Sequence, residues 1–188
     1  MIIDGHPDAE SFCAALCAAY QRGASASGAE VRLLVIRDIA FDPNLAFGYR
    51  KRTELEPALA QAQELIVWAD HLVVIHPVWW GSLPALMKGF FDRVFLPGIF
   101  FEKIPQAKFR WKKLLTGRSG RIIYTLNTPR LFWWLAGRPS YKALKWTTLG
   151  YCGVAPVRGT AVGIVRTSTA EWRERWLAKV EKMGRARA

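Results

Sequence analysis

Short apolar runs alternate along the chain with longer segments whose apolar positions recur every three or four residues. The first run, Met1-Ile2-Ile3, ends at Asp4-Gly5-His6-Pro7 and reads as a strand entering a turn. Its shortness leaves room for a start upstream of Met1. Ser11 is placed to cap a helix running to about Arg22, with Phe12, Leu16, Ala19 and Tyr20 on one face. After a loop of small residues, Val31 to Ile36 forms the second strand. Thr53-x-x-Glu56 followed by Pro57 predicts a capping box and a helix to about Ala69. His71 to His76 is almost wholly apolar, as in a parallel strand covered on both faces. From Pro84, the positions Leu86, Met87, Phe90, Phe91, Val94 and Phe95 mark one helical face. Pro97-Gly98 ends that helix, and a long basic loop follows.

The pattern continues with a strand from Arg121 to Thr125, a helix near Tyr141 to Tyr151, and a last strand from Val157 to Val165. Ser168-x-x-Glu171 predicts the cap of a final helix, with Trp172, Trp176, Val180 and Met183 inward and Gly184 beyond its end. Strands alternating with helices imply one α/β domain over residues 1–188. A three-layer sandwich is expected, with a five-stranded parallel sheet in the order 2-1-3-4-5.

Composition narrows the class. The chain is 51% hydrophobic with 9 Trp and 10 Phe, more rings than one small core holds easily, so some are expected on a ligand or a partner chain. No stretch approaches the ~18 apolar residues of a membrane span, so no transmembrane segment is expected. Residues 1–7 lack the basic and apolar regions of a secretory signal. Cys13, Cys17 and Cys152 read as reduced, small hydrophobes, which suits a cytoplasmic protein. His6, His71 and His76 have no partners at metal-ligand spacing, so no metal is expected. The net charge of +12 would attract nucleic acid, an anionic membrane or anionic small molecules. Phe109 and Trp111 interleave with Lys108, Arg110, Lys112 and Lys113, as in single-strand binders. A solvated loop with a few buried rings accounts for the same pattern, and no nucleic-acid partner is expected.

Ligands of open parallel sheets lie beyond the carboxyl ends of the strands, near the point where the strand order reverses. Three unusual loops fall there. Gly5 to Phe12 leads into a helix whose first amides and Ser11 hydroxyl could hold a phosphate, or form an ordinary capped turn. Trp79-Trp80 puts adjacent rings on diverging directions, one toward a flat ligand or a partner. Leu126-Asn127-Thr128 could bond the rim of a heterocycle, or simply turn the chain.

Gly5-His6-Pro7-Asp8 with Ser11-Phe12, the long block from His76 to Phe95, Asn127-Thr128-Pro129 and Tyr151-Cys152-Gly153-Val154 together resemble the flavodoxin-like NAD(P)H:quinone oxidoreductases. The resemblance covers most of the chain. It implies an NAD(P)H dehydrogenase (quinone) with tightly bound FMN or FAD, ping-pong hydride transfer to a quinone-like acceptor, and a homodimer. It also implies His6, Ser11, Phe12 and Cys13 around the flavin phosphate. Pro77, Val78, Trp79, Trp80 and Gly81 would lie along the isoalloxazine, with Leu126, Asn127 and Thr128 on its other side. Many members carry Asn where this chain has Cys13, and a thiol is the weaker donor. Leu131 to Arg138 lacks the Tyr and His that stand over the flavin in such reductases, so no catalytic side chain is assigned. Trp133 and Trp134 could join Trp79 and Trp80 in a flat apolar pocket. Two alternatives share the fold: a nitro or azo reductase, and a regulatory subunit of a membrane transporter of the potassium-efflux type.

Overall fold

The strands form where apolar runs are unbroken, and the helices where one side of the run turns polar. The computed structural model describes residues 1–51, 53–105, 107 and 110–186. Its main sheet has five strands, all parallel: β1 (Ile2–Asp4), β2 (Leu33–Val35), β3 (His71–Pro77), β6 (Ser119–Thr125) and β7 (Val157–Val162). Their order is β2-β1-β3-β6-β7, the expected 2-1-3-4-5 arrangement once a small two-stranded insertion is set aside.

Alternation along β3 divides the core in two. Val73 and Ile75 face a layer built by α1 (Phe12–Ala26) and α7 (Ala170–Arg185), where Leu16, Tyr20 and Val180 are buried. Leu72 and Val74 face the opposite layer, which holds α2 (Pro57–Trp68), α3 (Ala85–Val94) and a helical run over residues 133–152. That run comprises α4 (Trp133–Ala136), α5 (Arg138–Lys142), a π-helical stretch Ala143–Leu149 and α6 (Gly150–Cys152). Each fully buried Leu, Ile or Phe contributes roughly 1.5–3 kcal/mol. An exposed i,i+4 pair such as Lys88–Asp92 contributes only about 0.3–0.5 kcal/mol, so the two apolar layers carry the stability.

Several local expectations are corrected. The capping box does not form. Glu56 itself caps α2, because Pro57 fixes the first helical residue, and its side chain makes no capping bond. The Glu56 carboxylate instead accepts from the buried Arg93 guanidinium at 2.7 Å and from the Asp42 amide at 3.1 Å. Thr53 is left with a buried hydroxyl that has no partner among the described residues. The cap of α7 is Thr169 rather than Ser168, its hydroxyl accepting from the Trp172 amide. Gly184 lies inside α7, where a Cβ would stand 2.3 Å from the Tyr20 carbonyl; a glycine at a helix crossing mimics a terminator in sequence.

The basic loop contains an antiparallel hairpin, β4 (Phe101–Lys103) with β5 (Trp111–Lys113). Trp111 stacks on Tyr151 at 4.2 Å and donates from Nε1 to its carbonyl, so this ring is engaged within the fold. Lys108 and Phe109 lie outside the described residues.

Candidate functional site

The carboxyl ends of β1, β3 and β6 bring the three singled-out loops to one edge of the sheet. Asp4 pairs with Ile75, and Pro77 pairs with Thr125, so the loops leave adjacent strands at nearly the same level.

The first loop is anchored by an ion pair that the sequence did not reveal. Asp4 is buried, and its carboxylate accepts from the Arg37 guanidinium at 2.6 Å and from the His6 amide at 3.1 Å. Arg37 also donates to the His6 carbonyl. The only sequence signal was an acidic residue closing an otherwise apolar strand. His6 Nδ1 accepts the Asp8 amide at 3.0 Å, so the neutral ring carries its proton on Nε2. Among the described residues no acceptor meets that Nε2, which leaves it a free donor. Partial burial lowers the His6 pKa below the ordinary imidazole value, against the raising pull of Asp4 and Asp8.

Ser11 caps α1 as expected, its hydroxyl accepting from the Ala14 amide at 3.2 Å. The amides of Phe12 and Cys13 open the helix and have no carbonyl one turn back, so they can donate to an anion. The side chains of these two residues point elsewhere. Phe12 packs on Trp172 at 6.0 Å, with the Arg173 guanidinium over its ring. Cys13 is buried against the Thr125 hydroxyl at 3.3 Å, and burial pushes its thiol up to about 12. Both can therefore serve a phosphate only through their backbone.

In the second loop Pro77 is buried, and the Val78 amide donates to the Thr125 carbonyl at 2.8 Å. Trp79 and Ser82 exchange backbone hydrogen bonds around a two-residue tip, Trp80-Gly81. Both tip residues have positive φ, 51° at Trp80 and 73° at Gly81. Gly tolerates this conformation. A tryptophan there is uncommon and costs roughly 1 kcal/mol or more. The strained residue is fully exposed, at 104%. Trp79 and His6 form a T-shaped pair, their centroids 5.6 Å apart, which joins the first two loops.

In the third loop Leu126 turns into the core, with its amide bonded to Val162 and its carbonyl to the Val165 amide. Asn127 Oδ1 accepts from the Arg166 amide at 2.8 Å, leaving its Nδ2 group to donate elsewhere. The Thr128 carbonyl accepts from Trp133 Nε1 at 2.7 Å. Trp133 is thus a support of the loop, while Trp134 is exposed and, among the described residues, shares no ring contact with Trp79 or Trp80. The segment that carries both rings neighbours the second loop, since a Cβ on Gly81 would stand 3.7 Å from the Ala136 carbonyl oxygen.

The edge so formed has helix-terminal amides, a neutral imidazole donor and an exposed indole, and among the described residues its one thiol, Cys13, is buried. The profile of the flavodoxin-like fold family matches residues 1–183. The chain belongs to this family.

Within the flavodoxin-like family, the chain is 39% identical over 64 residues to an uncharacterized NAD(P)H oxidoreductase, YcaK, of Escherichia coli (strain K12), a stretch covering 32% of this chain and 33% of the relative. It is 26% identical over 106 residues to an uncharacterized NAD(P)H oxidoreductase of Haemophilus influenzae, covering 54% of this chain and 52% of the relative. The matched stretches therefore span between a third and about half of these relatives. Among solved structures, Smu.1420 from Streptococcus mutans UA159 superposes with a TM-score of 0.83 at 32% identity, covering 98% of this chain and 97% of that one. A Methanothermobacter marburgensis NAD(P)H:quinone oxidoreductase superposes with a TM-score of 0.80 at 20% identity, over 98% and 92% of the two chains.

Proposed function

We propose that the chain is a flavin-dependent NAD(P)H oxidoreductase that reduces a quinone or a similar flat acceptor. The observation that carries this reading is Trp80, held in a strained left-handed turn with its indole in solvent, next to Trp79, which packs on His6 of the first loop. Such strain suits a binding platform rather than a fold element. The named NAD(P)H oxidoreductase relatives support the same reading.

The residues fit a flavin. The Phe12 and Cys13 amides at the positive end of α1 would hold its phosphate, with His6 Nε2–H as a neutral donor. Trp79, Trp80 and Gly81 would border one side of the ring system, and Asn127 and Thr128 the other. Bound there, FMN or FAD would supply hydride-transfer chemistry between NAD(P)H and the acceptor.

The chain's own part is to hold and orient. The Asp4–Arg37 pair sets the first loop, the Val78–Thr125 bond sets the second, and Trp133 sets the third. The aromatic surface excludes water from a flat ligand seated on it. No side chain here needs to act as nucleophile or base.

A homodimer completes this reading. A hollow of about 680 Å³ lies beside α3, lined by Tyr49, Phe91, Phe95, Pro97 and Tyr151, and a second copy would close it. Titration of flavin-free protein with FMN and FAD tests the cofactor reading. Quenching of flavin fluorescence at one equivalent is expected. No quenching by either flavin would remove the proposal.

A further inference from the structure

The segment after the third loop forms a border of the redox edge. At its start the Phe132 amide donates to the Pro129 carbonyl at 2.8 Å, and Trp133 Nε1 donates to the Thr128 carbonyl at 2.7 Å, which ties it to the third loop. At its end the Ala136 carbonyl oxygen lies beside Gly81, at the tip of the second loop. The inner side is fixed. The Gly137 amide donates to the Trp133 carbonyl at 2.8 Å, and the Ser140 hydroxyl donates to the Gly137 carbonyl at 3.1 Å. A Cβ on Gly137 would stand 2.9 Å from the Tyr124 ring, so the segment lies close on the sheet.

The outer side is apolar. Leu131, Phe132, Trp134 and Leu135 are 77%, 49%, 61% and 60% exposed, and Trp79 and Trp80 of the second loop are exposed as well. Residues 131–137 include no ionisable side chain. Their only polar side-chain groups are two indole N–H groups, and Trp133 uses one of them on Thr128. Large apolar side chains held outward on a fixed base mark a contact surface. None of residues 131–137 lines the hollow assigned to the second copy.

We propose that this rim receives an apolar chain on the acceptor, so that the substrates are quinones carrying an alkyl or prenyl substituent rather than bare rings. The inference rests on the quinone reduction proposed above and extends it to the part of the acceptor outside the ring. The ring is held at the edge itself, and the chain runs outward over Leu131, Phe132 and Leu135. The chain takes no part in the redox chemistry. Its burial adds affinity, and about two methylenes removed from water suffice for tenfold. The ribose and phosphate groups of NAD(P)H suit this rim poorly, because they would be desolvated with almost no polar partner.

Two acceptors with the same dimethoxy-methyl-benzoquinone ring test it, one bare and one carrying a decyl chain, both below the solubility limit of the decyl form. With flavin-loaded protein and NADPH, kcat/KM is expected to be about tenfold or more higher for the decyl form. Its binding, read from quenching of Trp fluorescence without NADPH, is expected to be tighter by a similar factor. Combining Leu131→Ser and Leu135→Ser should remove about fivefold or more of both advantages while the far-UV circular dichroism stays the same. Equal kcat/KM for the two acceptors would overturn the inference and leave quinone reduction standing. An advantage that survives in the double variant would overturn it too, since the chain would then lie elsewhere. So would a double variant that turns a wild-type dimer into monomers, because the face would then join two copies. Turnover of neither acceptor would overturn quinone reduction and the inference with it.

Discussion

The rings of His6 and Trp79 meet at 80°, with centroids 5.6 Å apart. Such a contact is worth about 0.5–1.5 kcal/mol and ties two loops from neighbouring strands into one surface. His6 is also fixed from behind, through Asp4 and Arg37, and Trp79 through its exchange with Ser82. The exposed tip at Trp80 therefore stands on a rigid base.

Trp80→Asn separates folding from binding. Asn-Gly suits a two-residue tip with positive φ, so the variant should fold at least as well as wild type, within about 1 kcal/mol. Flavin affinity should fall by about tenfold or more, from the loss of an aromatic platform. Calorimetry and a flavin titration on the same samples check this. A lower Tm with unchanged affinity would make Trp80 a structural residue.

Gly184→Ala should destabilise the fold without touching the site. The added methyl would stand 2.3 Å from the Tyr20 carbonyl and 2.9 Å from the Ala24 amide nitrogen, forcing α7 away from α1. A cost of about 1–3 kcal/mol is expected in urea unfolding, typical of overpacking. Flavin uptake by the folded fraction should not change.

Acid stability should depend on His76. This side chain is fully buried, and burial lowers its pKa to about 4 from an ordinary value of 6.5. The unfolded chain therefore binds a proton that the folded one refuses. Stability is complete above pH 6.5 and is lost as the pH falls toward about 4. In His76→Leu, the slope of unfolding free energy against pH should be shallower across that window. An unchanged slope would show that His76 is not the group responsible.

The three free cysteines should be silent in the native state. All are buried, Cys13 and Cys152 are pushed up to about 12, and Cys17 lies well above its ordinary value. A thiol reagent at neutral pH should label none until denaturant is added. Rapid native labelling would mean that α1 opens far more readily than its packing implies.

Light scattering should give the mass of a dimer. Glu substituted for Phe91 and Phe95 would confound the result with core damage, so Tyr49→Glu, at an exposed rim position, is the better probe. It should shift the protein toward monomer. A wild-type monomer at micromolar concentration would remove the dimer.

The sheet order and the three loops were legible because their signals are local: unbroken apolar runs, a serine cap and paired tryptophans. What the sequence hid depends on contacts between distant residues. Arg37 reaches Asp4 across 33 positions, and Arg93 takes Glu56 away from a capping role across 37. Gly184 resembles a helix stop because nothing local shows that Tyr20 lies against it. The three-residue strands Phe101–Lys103 and Trp111–Lys113 are too short to show alternation. At the site, Cys13, Phe12 and Leu126 occupy the expected loops, yet their side chains turn into the protein. Position along the chain fixes a residue's neighbourhood but not its direction.

The visible absorbance spectrum of the purified protein, before and after NADPH under nitrogen, tests the central claim most directly. The account predicts flavin bands that bleach on adding NADPH and return when a quinone is supplied. A colourless protein that takes up neither FMN nor FAD would contradict it.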